Sequence, residues 1–137
     1  QMSSKSKGSK AERELLHKFW DTGLWCAVRV AGSGSMRHPG PDLLVGSKDR
    51  NRRLAIECKT SGVAKIYLSS RDIEKLKEFS EIFDARAWFA VKFRQKDWRF
   101  LNLEDLKKTQ SGYVIDSGII DLCGISFQEI ISYKVEK

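Results

Sequence analysis

Asp42 follows a proline, and further along the chain Glu57, Cys58 and Lys59 stand in succession. Two carboxylates and a lysine in this order are the groups that metal-assisted phosphodiester hydrolysis needs. In the run Leu54–Lys59 side chains alternate between two faces, as in any strand. Leu54, Ile56 and Cys58 then share a core face, while Ala55, Glu57 and Lys59 share the other. Asp42 enters the preceding strand, and a hairpin between the two brings its carboxylate beside Glu57. Neighbouring carboxylates resist ionisation unless a cation or a proton offsets their repulsion. Magnesium suits such a site, because it accepts a few carboxylates and keeps several waters. The backbone carbonyl of Cys58 is a further candidate ligand. A metal held there would polarise the scissile phosphate, acidify a bound water and stabilise the leaving oxyanion. Lys59 would orient or help activate that water and offset charge on the phosphorus centre. The spacing leaves the number of ions open. An exposed strand face also carries Glu-x-Lys as a plain salt link, so the triplet needs support from elsewhere.

Charge supplies some. The chain has 137 residues and a formal charge of +7. Residues 1–68 hold 13 Lys/Arg against 6 Asp/Glu, and residues 69–137 hold 12 of each, so the whole excess lies in the half containing Asp42 and Glu57. A basic field draws in a polyanion. Lys5, Lys7 and Lys10 suit nonspecific attraction to phosphates rather than base reading. Arg37 and His38, on the segment before Pro41, are candidate strand contacts. Arg50, Arg52 and Arg53 surround a hairpin turn, where they either extend the binding surface or keep the turn soluble; the second reading is preferred.

The elements that must position these groups follow from periodicity and punctuation. Residues 1–9, rich in Ser, Lys and Gly, read as a flexible basic segment, and 10–137 as a single domain. A helix from Lys10 carries Ala11, Leu15, Leu16 and Phe19 as a stripe and stops near Asp21-Thr22-Gly23. Strands are expected at Trp25–Val30, Leu43–Val45 and Arg53–Lys59, with Lys65–Leu68 an edge strand or extended segment. Ser69 opens a helix whose apolar face holds Ile73, Leu76, Phe79, Ile82 and Phe83. That face is broader than one small sheet requires, which suggests a dimer. Ala85–Val91 is apolar enough to be covered on both faces, and Arg94–Asp97 turns into strand Trp98–Leu103. Glu104–Lys108 reads as one helical turn and 112–124 as less regular. Ser126 with Glu129 caps a last short helix. The class is α/β, a central mixed β-sheet flanked by helices.

The three cysteines lack metal-ligand spacing, and Cys26 and Cys58 read as buried thiols of a reducing compartment. His17 has no Cys or His partners spaced for zinc. No apolar stretch is long enough to span a bilayer and no secretory leader is visible, so no membrane association and a cytoplasmic location are expected.

Three segments resemble one known family: Lys7-Gly8-Ser9-Lys10-Ala11-Glu12-Arg13-Glu14-Leu15, Val28-Arg29-Val30-Ala31-Gly32-Ser33-Gly34, and Pro41-Asp42 with Ile56-Glu57-Cys58-Lys59. Together they are similar to the archaeal-type Holliday junction resolvases of the Hjc/Hje group, within the restriction-endonuclease-like PD-(D/E)xK nucleases. The likeness continues through Ile66-Tyr67, Leu76–Phe83, Ala90–Phe93 and Trp98–Phe100. The nuclease motif is common to many DNA-cutting enzymes; the Gly-x-x-x-Glu-Arg-Glu segment selects the resolvase group. The resemblance implies a restriction-endonuclease-like core, Glu12 as a further acidic member of the metal site, and Arg13 and Arg29 as phosphate contacts or supports. It implies Ser33 on a mobile loop near the scissile phosphate. It also implies a homodimer that nicks opposing strands of branched, four-way DNA with magnesium or manganese. On sequence physics alone Glu12 is equally a favourable residue of a first helical turn, Arg13 and Arg29 surface charges, and Ser33 part of an ordinary loop. A general or damage-directed nuclease would share Asp42, Glu57 and Lys59, and a non-catalytic DNA-binding module would need only the basic half.

Overall fold

Ala11, Leu15 and Phe19 recur at four-residue spacing, and that stripe buries helix α1 (Ser4–Asp21) against a sheet. The computed structural model describes residues 4–30 and 38–136. Helix α1 begins at Ser4 rather than at Lys10. Once the buried turns supply the nucleus, each added residue gains a hydrogen bond without a new nucleation cost.

Strands β1 (Cys26–Arg29), β2 (Leu43–Ser47) and β3 (Arg52–Ser61) form an antiparallel meander. Strand β4 (Lys65–Ser69) and helix α2 (Ser70–Phe83) then lead to β5 (Arg86–Phe93), which pairs parallel with β3. Strand β6 (Arg99–Leu101) returns antiparallel, completing a mixed five-stranded sheet in the order β1-β2-β3-β5-β6. Leu54, Ile56, Trp88 and Ala90 pack on one face with α1. Ala55, Phe89 and Val91 pack on the other with Ile73 and Leu76 of α2. Both faces of β5 are therefore covered, which explains its unbroken apolar run. The face that carries Glu57 and Lys59 is a core face too, up to Ala55.

Ser69 caps α2, its hydroxyl accepting from the Asp72 amide at 3.1 Å. Ser126 and Glu129 form the expected reciprocal cap of the last helix (Phe127–Ser132).

Four local expectations are corrected. The helical turn expected at Glu104–Lys108 is a 3-10 turn at Leu103–Asp105 followed by β7 (Lys107–Lys108). The less regular stretch 112–124 contains β8 (Gly112–Asp116), the centre of a small sheet β4-β8-β7, and helix α3 (Ser117–Cys123). Tertiary pairing with β4 decides this segment, since its short apolar runs carry no clear period. Cys26 is exposed on the outer face of β1, whereas Cys58 and Cys123 are half-buried; all three are free thiols. Numbering the last helix α4, Arg52 is also not a solvated turn residue: it is buried against the end of α4, with Nη1 donating to the Ile130 and Tyr133 carbonyls. Among the described residues no helix is long and apolar enough to cross a membrane.

Candidate active site

Strand β2 ends its pairing at Leu43, opposite Ile56, so β3 runs on with an open edge from Glu57 to Ser61. Pro41 is fully buried at that point and Asp42 nearly so. The Asp42 backbone bridges two strands: its amide donates to the Ile56 carbonyl at 3.0 Å and its carbonyl accepts from the Val30 amide at 2.9 Å. Its side chain replaces the missing strand, with Oδ2 accepting from the Cys58 amide at 2.9 Å. In a strand the N–H and C=O of one residue point to the same edge. The Cys58 carbonyl therefore faces the Asp42 side as well.

Glu57 lies beside this pinned carboxylate and shares a hydrogen bond with it. Burial first, and the Asp42 charge second, push the Glu57 carboxyl up from 4.5 to about 8, against the pull of Lys59. Lys59 Nζ stands 3.7 Å from Glu57 Oε2. Asp72, at the start of α2, adds a smaller upward push. Asp72 is thus a further acidic group that bears on Glu57, and the motif spacing does not single it out.

Glu12 projects from α1, whose stripe packs on the Leu54–Ile56 face of the sheet. Arg29 of β1 donates through Nε to Glu12 Oε1 at 2.9 Å and through Nη2 to Ser9 Oγ at 2.8 Å. Burial, then Asp42, Glu12 and Glu57 in turn, raise the Cys58 thiol. Glu12 thus bears on the opposite side of the same strand edge from Glu57. Among the described residues no group of three or more His, Cys, Asp or Glu side chains is gathered closely enough to hold a metal ion. Asp42 and Glu57 are brought together; Glu12 is tied to Arg29 instead.

Of the residues expected to meet DNA, Lys10, Arg13 and His38 are exposed. Arg29 is engaged with Glu12. Lys5 and Lys7 fall in the first turns of α1. Ser33 and Arg37 lie outside the described residues.

The archaeal Holliday junction resolvase (hjc) family matches residues 3–137. The chain belongs to the archaeal Hjc resolvase family. The match runs past residue 103, where the likeness of the motifs fades, to the end of the chain. The crossover junction endodeoxyribonuclease Hjc of Archaeoglobus fulgidus is 38% identical over 138 aligned positions, covering 96% of this chain and 99% of the relative. The Hjc of Methanocaldococcus jannaschii is 40% identical over 125, covering 91% and 86%. A solved structure of the Archaeoglobus fulgidus Hjc, described as a Holliday junction resolvase from an archaeal hyperthermophile, superposes with a TM-score of 0.82 at 37% identity, covering 89% of this chain and 96% of that one. The restriction-endonuclease-like α/β core that the resemblance implies is therefore the Hjc fold.

Proposed function

We propose that the chain is a structure-selective DNA endonuclease that resolves four-way junctions by paired, magnesium-dependent hydrolysis of phosphodiesters. The observation that carries this reading is the Asp42–Glu57 pair, pinned by the Cys58 amide and flanked by Lys59. A buried carboxyl at about 8 beside a second carboxylate marks a site short of positive charge. Oxygen donors with an open edge fit magnesium or manganese, with Asp42, Glu57 and the Cys58 carbonyl as the holding groups and Glu12 acting from the far side. When bound, the cation supplies Lewis acidity to a phosphate oxygen and acidity to a water.

The chain's own groups do the rest. Glu57 surrenders the proton it shares with Asp42 before both carboxylates can act as ligands. Lys59 presents its ammonium where negative charge gathers on the phosphorus centre. Arg29 fixes the rotamer of Glu12, so that its carboxylate meets the strand edge at one orientation. Ser33 and Arg37, with Lys10, Arg13 and His38, would contact the strand being cut.

Two nicks in opposing strands require two such centres, hence a homodimer. The exposed end of α2 fits that role: Ile82 is 82% exposed, and Phe83 stacks on Phe79 with ring centroids 5.3 Å apart. The deciding experiment compares cleavage of a four-way junction with that of a duplex of matched sequence, with and without magnesium. Metal-dependent cutting of the junction alone is the expected result. Equal cutting of the duplex would replace the resolvase by a general nuclease, and no cutting would leave a DNA-binding module.

A further inference from the structure

The basic excess of the first half is not all gathered at the catalytic edge. Lys48, Arg50, Arg52 and Arg53 lie around the β2–β3 turn, at the start of β3, whereas Glu57 stands in mid-strand. Glu57 is five positions along the strand from Arg52, roughly 17 Å at about 3.3 Å per residue.

Arg52 is 5% exposed there. Its guanidinium lies 3.5 Å from the Tyr133 ring centroid and 5.2 Å from that of Trp25. Nη1 serves the carbonyls at the end of α4, but Nη2 is buried without a hydrogen-bond partner among the described residues. Beside it is a cavity of about 360 Å³ lined by Arg52, Arg53, Arg86, Asp84, Asn51 and Tyr133, among others. Arg53 donates through Nε and Nη2 to Asp84, and Arg86 donates through Nε to Asn102 Oδ1. Three guanidiniums against one carboxylate leave the lining with a charge of +2.

A guanidinium does not shed its proton to escape burial. Burial bears down on Arg52, Tyr133 relieves it in part, and the Arg86 charge adds to the strain. An unpartnered buried donor is costly, and a second like charge beside it raises that cost. An oxyanion answers both at once, because its oxygens accept from guanidinium forks. Donors converging from β3 and the start of β5 suit a group with three or more oxygens and up to two negative charges.

We propose that this cavity is a phosphate-binding site separate from the Asp42–Glu57 centre, with Arg52, Arg53 and Arg86 as its ligands. The phosphate is either a backbone phosphate of a DNA arm or free inorganic phosphate.

The test titrates the metal-free full chain with inorganic phosphate against chloride at equal ionic strength, following the unfolding midpoint and binding heat. Wild type should show a saturable rise that Lys59→Met retains. Arg53→Gln/Arg86→Gln should weaken it at least tenfold, and Arg86→Gln alone in part, while Lys107→Gln/Lys108→Gln leaves it intact. These arginines are exposed enough to change without unfolding the chain, so Arg52 itself is left in place. The salt dependence of DNA binding then assigns the source. A slope reduced by about 0.9 or more in the double variant names a DNA phosphate; an unchanged slope with the phosphate response lost names the free ion. A wild-type response no greater than that to chloride, with the DNA slope unaltered, overturns the site. So does a phosphate response that the double variant keeps. No cleavage is read, so failure of the nuclease assignment would leave this result standing.

Discussion

The Cys58 amide donates to Asp42 Oδ2 at 2.9 Å across the edge that β2 has just vacated. One backbone donor therefore fixes both the rotamer of Asp42 and its approach to Glu57. Asp42→Asn keeps an oxygen acceptor for that amide but removes the charge. Cleavage of a four-way junction should fall by roughly a thousandfold or more, on the scale of losing a whole catalytic group. Junction affinity should change by less than about threefold, because phosphate contacts come from elsewhere. Single-turnover cleavage and gel-shift binding measure the two. A variant that still cut at the wild-type rate would remove Asp42 from the site.

The Glu57 carboxyl, raised from 4.5 to about 8, links stability to pH in a defined direction. Below about pH 4.5 both folded and unfolded chains hold the proton, and the group contributes nothing. Between 4.5 and 8 the unfolded chain ionises while the folded one does not, so stability falls as pH rises. The ceiling of that slope is about 1.4 kcal/mol per pH unit. Above 8 the loss is complete and constant. Denaturant unfolding without metal at pH 5.5, 7 and 8.5 should show wild type losing stability relative to Glu57→Gln. Magnesium binding should release a proton at pH 7 and much less at pH 9, which calorimetry in buffers of different ionisation enthalpy detects. Parallel stability profiles for the two proteins would contradict the assignment.

Gly112 lies opposite Ser69 in the β4–β8 pair, and a Cβ there would fall inside contact distance of the Leu68 carbonyl oxygen. That obstacle is backbone, so it cannot swing away as a side chain would. Gly112→Ala should cost about 1–3 kcal/mol, seen as a lower unfolding midpoint with cleavage of the folded fraction unchanged. Gly8→Ala, with nothing near its Cβ position, is the matched control.

What the sequence revealed and what it hid divide along the range of the interactions. The stripe of α1, the Ser69 and Ser126 caps and the alternation of β3 are local, and each stands where residue spacing puts it. The Asp42–Glu57 pairing was legible for the same reason, since one hairpin connects the two. Strand β8 was hidden because its partner β4 lies more than forty residues earlier. Arg52 misled for a related reason: the groups that bury it come from the far end of the chain, at Ile130 and Tyr133. Arg29 stood as a phosphate contact or a support of the site, and nothing between residues 12 and 29 announces that the helix and β1 bring it to Glu12.

The outer end of α2 supplies a prediction about assembly. Ser80, Leu76 and Ile73 face inward and Phe79 is half-buried against them, leaving Ile82 and Phe83, which stacks on Phe79, to the outside. Ile82→Lys removes apolar surface that no neighbour in the monomer covers, so the fold should survive with an unfolding midpoint within a few degrees. Sedimentation over a concentration series should show wild type as a dimer and the variant as a monomer. Bilateral cleavage in one encounter should then give way to single nicks. A wild-type chain that stays monomeric well above micromolar concentration would exclude the paired-centre reading.

Arg29 and Glu12 form a partly exposed ion pair, with side chains 32% and 17% accessible. Pairs of this kind contribute little to stability, about 0–1 kcal/mol. Their effect on catalysis is another matter if the arginine exists to aim the glutamate. Arg29→Gln should lower the cleavage rate by about tenfold or more while moving stability by less than about 1 kcal/mol. Glu12→Gln should do the same, and the double variant should be no worse than the more damaged single one, since the two changes disable one device. Arg29→Lys, which keeps the charge but not the second bond to Ser9 Oγ, should recover only part of the rate. Were Arg29 instead a phosphate contact, its loss would lower junction affinity and the salt slope, and the two substitutions would add. Measuring rate, affinity and salt dependence on the four proteins separates an aimed carboxylate from a DNA contact.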